Sequence, residues 1–137
     1  MKKSTLLAAL LLTITFSYSQ SAKKLVKTGI TKFQKEDYKG AIAEYTKAIE
    51  IDSNYADAYF YRGYTKFTLK DYQGAIIDYT KNVELDPKSY DGFIDRGDVK
   101  YILKDYKGAI DDFSSSLELY STDYETYFKR GRAKYDT

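Results

Sequence analysis

Four glycines, Gly29, Gly63, Gly97 and Gly131, stand thirty-four residues apart. A phrase recurs between them at the same interval: EDYKGAIAEYTKAIEIDS from Glu36, KDYQGAIIDYTKNVELDP from Lys70 and KDYKGAIDDFSSSLELYS from Lys104. A period this short makes a chain of 137 residues a stack of like units, each too small to bury its own apolar face. The units run 22–55, 56–89 and 90–123, with a partial fourth at 124–137.

Inside each unit the apolar residues have a helical spacing. Tyr59, Gly63 and Phe67 fall four apart on a first helix, and Ala75, Tyr79 and Val83 do so on a second, with Ile76 beside them. Asp71 stands where an N-cap belongs, its carboxylate free to accept from the exposed backbone N–H groups. Pro87 closes the second helix, and Ser53 and Ser121 occupy its place in the other units. Each unit therefore reads as a helix–turn–helix hairpin. Glycine within a helix costs about 1 kcal/mol relative to Ala, so its recurrence at one register is expected where a neighbouring helix must come close. Ala41, Ala75 and Ala109, and Gly74 in the repeated phrase, read as further small residues for close packing.

Tyr59, Gly63, Phe67, Tyr72, Ala75, Tyr79 and Pro87 together resemble the tetratricopeptide repeat family, a thirty-four-residue helical pair. The RG pairs at Arg62–Gly63, Arg96–Gly97 and Arg130–Gly131 and the DYxGAI phrase are similar to bacterial members. The resemblance covers 22–137. Asn82 and Ser116 depart from it where Ala48 is small, and Thr28 stands in place of the later arginines. It implies an all-α, right-handed α-solenoid of three full repeats plus one terminal helix. The first helices would line a concave groove that binds peptides or partner helices, with no catalysis and no cofactor.

Projected onto such a groove, the candidates are Val26, Ile30, Phe33 and Gln34, then Phe60, Tyr61, Tyr64 and Thr68. Asp91, Ile94, Asp95, Asp98, Tyr101 and Ile102 follow, and finally Phe128, Lys129 and Arg132. Phe60, Tyr61, Tyr64, Ile94, Asp95, Asp98, Phe128 and Arg132 are the expected ligand contacts. Tyrosine joins a broad apolar face to a polar tip, which suits recognition; each ring taken singly also reads as cover for its own helix. The third unit holds four basic residues against eight acidic, and Asp91, Asp95 and Asp98 share one helical face. A ligand carrying Lys or Arg would relieve their repulsion, while a plain solvated face remains the alternative. One straight helix does not wrap a calcium ion, and no EF-hand spacing is present.

Chaperone-binding members of the family clamp a peptide carboxylate with Lys, Asn and Arg. The matching positions here hold Val26, Ile30, Tyr61, Asp91 and Asp95, which offer that carboxylate no cation. This specificity is not expected.

The composition narrows the remaining classes. The chain has no His and no Cys, which removes thiolate nucleophiles, disulfides and the usual zinc ligands, and the side chain most used for proton transfer near neutrality. The first residues are set apart: Lys2 and Lys3 precede an uncharged run from Leu6 to Phe16. That run is shorter than the roughly 20 residues a spanning helix needs. It reads as a secretory signal over 1–19, cleaved near Ser19 and Gln20, with a buried N-terminal helix as the alternative. The mature chain would carry no membrane span, would be neutral overall and would therefore be unsuited to nucleic acid. The expected function is a non-enzymatic protein–protein interaction scaffold, periplasmic or secreted, in a bacterial cell envelope. The alternative is a self-assembling structural module that oligomerises through 124–137, where Tyr124, Tyr127, Phe128 and Tyr135 make the terminal helix apolar.

Overall fold

The repeated Asp begins the second helix of each pair by holding its own backbone. The carboxylates of Asp37, Asp71 and Asp105 accept from the N–H groups of Gly40, Gly74 and Gly108 at 2.9, 2.9 and 3.0 Å. A computed structural model describes residues 20–137, and the leader expected over 1–19 lies outside the described residues. The elements are α1 (20–34), α2 (Tyr38–Ile51), α3 (Ala56–Thr68), α4 (Tyr72–Leu85), α5 (Tyr90–Ile102), α6 (Tyr106–Leu119) and α7 (Tyr124–Tyr135). From α2 onward each helix packs on the next in sequence, and α3 also touches α5. The described chain is an all-α helical-repeat solenoid. None of its described helices is long and apolar enough to cross a membrane.

The glycines of the capping phrase serve the cap. A Cβ on Gly40, Gly74 or Gly108 would meet the capping carboxylate at 2.0–2.3 Å. This corrects the expectation that Gly74 admits a neighbouring helix. The glycines of the first helices do the packing. A Cβ on Gly29 would lie 2.4 Å from the ring of Tyr45, and one on Gly97 would lie 2.7 Å from Phe113. Gly63 faces Tyr79 at 3.2 Å. Tyr45, Tyr79 and Phe113 are fully buried, each beside an alanine of its own helix: Ala41, Ala75 or Ala109.

The turn between the two helices of a pair is made without glycine. Glu36, Lys70 and Lys104 adopt φ of 62, 63 and 64°, the left-handed region where a side chain is disfavoured. The following N–H then reaches back to the first helix, as from Asp71 to the Lys66 carbonyl at 2.9 Å, closing that helix end.

Buried charge ties the two helices of each pair together, and a neutral hydrogen bond from the same arginine reaches the pair before. Arg62 grips Asp78 with Nε and Nη2 at 2.9 and 2.7 Å, and reaches Thr46 of the preceding pair with Nη1 at 3.1 Å. Lys66 meets the same Asp78 at 2.7 Å. Arg96, Lys100, Asp112 and Thr80 repeat the arrangement. In the first pair Lys32 and Lys47 meet Glu44 instead, and the hydrogen bond from Lys32 holds that carboxyl below its ordinary range. Asp78 and Asp112 are almost wholly enclosed, so deleting either would strand two cations, at a cost of about 3–5 kcal/mol.

Asn82, one departure from the small-residue pattern, is buried and satisfied: its amide donates to the Ala56 carbonyl, and its Oδ1 accepts from Ser89 Oγ. Gly92 makes room for it, since a Cβ there would meet Oδ1 at 2.1 Å.

Gly131 differs from its counterparts, with nothing within 4 Å of a Cβ placed on it. Gly131→Ala is therefore expected to raise stability by about 0.5–1 kcal/mol, whereas Gly97→Ala should lower it by about 1–3 kcal/mol as Phe113 is displaced. Urea unfolding of the two variants checks both signs.

Candidate functional site

The rings singled out in the sequence come together where α1 meets α3. Tyr61 stacks on Tyr45 with centroids 6.0 Å apart, Phe33 meets Tyr64 at 5.4 Å, and Phe60 lies edge-on to Tyr61 at 5.4 Å. Ile30, Phe33, Gln34, Tyr61 and Tyr64, with Tyr45 and Thr65 behind them, enclose an apolar recess of about 230 Å³. A more open hollow of about 400 Å³ adjoins it, bordered by Lys23, Lys27, Ile30, Tyr55, Asp57 and Tyr61. Val26 borders that hollow too, but most of it is taken up by the core beside Ala22. Burial pushes the hydroxyls of Tyr45 and Tyr55 up to about 12, so both stay neutral donors at physiological pH.

The acidic residues of α5 divide. Asp98 is paired with Lys129 of α7 at 2.7 Å. Asp95 is half-buried and forms no ion pair. Burial, and then the nearby Asp98 charge, push its carboxyl up to about 6, while the Tyr79 hydroxyl beside it opposes the rise. Asp91 is exposed and borders a shallower cleft with Phe60, Tyr61 and Ser89. Asp95 and Asp98 close a small cavity with Tyr64, Phe67 and Tyr79. Tyr64 is therefore shared by the aromatic recess and the acidic cavity, which makes them one continuous surface.

The remaining expected contacts are placed differently. Ile94 is half-buried next to Asp95 on α5. Arg132 lies over the ring of Tyr101 at 4.3 Å. Phe128 is 70% exposed and stands apart from both cavities described above. Tyr124 and Tyr135 are more exposed still, so the apolar character expected of the terminal helix is present on its surface.

Sequence reasoning gave no role to the Arg62–Asp78–Lys66 and Arg96–Asp112–Lys100 clusters. Their signal was the thirty-four-residue recurrence of Arg, Lys and Asp. A hollow of about 570 Å³ lies over the first of them, bordered by Tyr59, Ile76, Ile77 and Glu84. It has the largest volume of the recesses described, but it is lined by Arg62 and Asp78, the ion pair that holds α3 to α4, so the hollow belongs to the framework. The aromatic recess has side chains with no such duty.

Residues 29–70 match a family model described as a TPR repeat, and residues 56–89 match one described as a tetratricopeptide repeat. No curated protein matches the chain. Among solved structures, the first TPR of Spaghetti (RPAP3), bound to the HSP90 peptide SRMEEVD, superposes with a TM-score of 0.82 at 26% identity. That match covers 85% of this chain and 93% of that one. The Arabidopsis OM64 TPR domain gives 0.82 at 23% identity, over 88% and 99% of the two chains. The TPR2B domain of yeast Sti1, in a complex with Hsp70, gives 0.78 at 22%, over 86% and 99%.

Asp95 has a stability consequence whose sign is fixed. Its folded pKa is raised, so its contribution is fully present below the unfolded value and is lost as pH rises through about 6. Asp95→Asn should therefore be more stable than the native chain at pH 7, by roughly 2–3 kcal/mol for a shift of this size. The gap should close by pH 4. Urea midpoints of the two proteins between pH 4 and 7 measure it.

Proposed function

We propose, from the premise that this chain belongs to the tetratricopeptide-repeat family, that it is a non-enzymatic scaffold which binds an extended or helical peptide of a partner protein along its concave face. The observation that carries this reading is the shared position of Tyr64, which walls both an apolar recess and a cavity with an unpaired carboxylate. Such a surface selects two things at once, an apolar side chain and a basic one.

The solved neighbours in complex with HSP90 and Hsp70 support peptide binding as the use of this fold. They do not support the same ligand. SRMEEVD is acidic, and the α5 face of this chain presents Asp91 and Asp95 with no cation paired to either. Like charges brought together on such a surface repel, so a basic segment is the complementary ligand. An exported site of action, periplasmic or secreted, is part of the proposal and rests on the leader-like residues 1–19 alone.

A second reading, self-assembly through residues 124–137, is favoured by the exposed Tyr124, Phe128 and Tyr135 of α7. Light scattering across a hundredfold concentration range separates the two, because a constant monomer mass removes self-assembly.

The peptide reading is tested with immobilised protein and a random decapeptide library. The native chain should retain a subset enriched in Lys or Arg beside an apolar residue. A Tyr64→Ala/Asp95→Ala variant, with its fold checked by circular dichroism, should retain at least tenfold less of that subset. An unchanged retained set would remove the groove from consideration.

A further inference from the structure

Buried hydroxyls in folded proteins nearly always have a hydrogen-bond partner. Tyr79 meets no partner at ordinary hydrogen-bond geometry, although the Asp95 carboxylate lies near enough for the two groups to act on each other. Its ring is 0% exposed, and its hydroxyl is the one buried side-chain polar atom found without a hydrogen bond among the described residues. The residue borders the small cavity that also meets Asp95, Asp98, Tyr64 and Phe67.

The cavity measures about 20 Å³, room for a single water-sized group, since roughly 10–15 Å³ on this measure suffices for one water. An ammonium group has that size. A guanidinium, planar and bearing five N–H donors in a fork, does not. The lining matches the smaller cation in kind as well. Asp95 forms no ion pair, and Lys129, which is bonded to Asp98, acts on Asp95 only at longer range. A phenol oxygen can accept from an ammonium N–H while its own proton turns toward a carboxylate. The Tyr64 and Phe67 rings that line the cavity supply the aromatic faces that attract cations. Tyr64 is 42% exposed, so an alkyl stem can lie along it from the groove.

We propose that this cavity is a lysine socket: a Lys side chain of the bound peptide seats its ammonium against Asp95 and the Tyr79 hydroxyl, and Arg is refused by size. This rests on the groove reading and sharpens it, by assigning the basic preference to one cavity and one residue type.

The probe is three pools of random decapeptides, identical except for a central Lys, Arg or norleucine, passed over the immobilised full chain. The Lys pool should be retained at least fivefold more than either of the others. Tyr79→Phe removes one oxygen that makes no hydrogen bond of ordinary geometry and leaves the packed ring in place, so its melting temperature should stay close to the native one. In that variant, and in Asp95→Asn, the preference for Lys should fall below twofold. Equal retention of the Lys and Arg pools by the native chain overturns the socket, even though the groove reading survives. A full Lys preference in folded Tyr79→Phe also overturns it, as does one in Asp95→Asn. Retention of no pool overturns the groove reading and the socket with it.

Discussion

The contact on which the solenoid depends is a second-helix ring set against a first-helix glycine. Tyr45 on Gly29, Tyr79 on Gly63 and Phe113 on Gly97 fix how near the two helices of a pair approach. A fully buried aromatic side chain removes on the order of 150–250 Å² from water, worth about 4–6 kcal/mol as an upper figure. The glycine that receives it costs about 1 kcal/mol of helix propensity. The ring wins by a wide margin. The ion clusters can then form, because Arg62 and Lys66 reach Asp78 only when α3 and α4 lie this close.

Much of this frame is local in the sequence and could be read there. The period, the Asp caps, the ring positions and the glycine register all depend on residues within one unit. What escaped is what depends on approach in space. Arg62 and Asp78 are sixteen residues apart on different helices, and an isolated charge reads as surface. Gly74 reads in the sequence as a packing residue because its contact, the Asp71 carboxylate, belongs to the same turn and leaves no mark in the periodicity. Lys70 in a left-handed conformation had no signal at all, since glycine usually marks that position.

The candidate site was legible by a projection of helix faces. The projection found Tyr61, Tyr64 and Asp95 but could not rank them. It gave Asp95 and Asp98 the same role, whereas Lys129 of the next unit neutralises one and leaves the other. It treated Tyr79 as filler, because a ring's packing face is periodic and its hydroxyl's surroundings are not. Phe128 shared the register of Phe60 and Ile94, yet it stands apart from the cavities that give the other rings their context. The half-buried acid and the buried hydroxyl sit side by side, and burial of the acid without an ion pair lowers stability. Both border the small cavity that Tyr64 and Phe67 also line. The frame beneath, with its paired charges and satisfied Asn82, makes no such concession.

The threonine at the far end of each arginine has a mechanical meaning. Arg62 and Arg96 each hold an aspartate in their own pair of helices and a hydroxyl in the pair before. The aspartate bonds are short, charged and enclosed, while those to Thr46 and Thr80 are neutral and longer, at 3.1 and 3.4 Å. Under load the array should behave as stiff links on compliant hinges. Bending should collect between one helix pair and the next while each hairpin remains rigid.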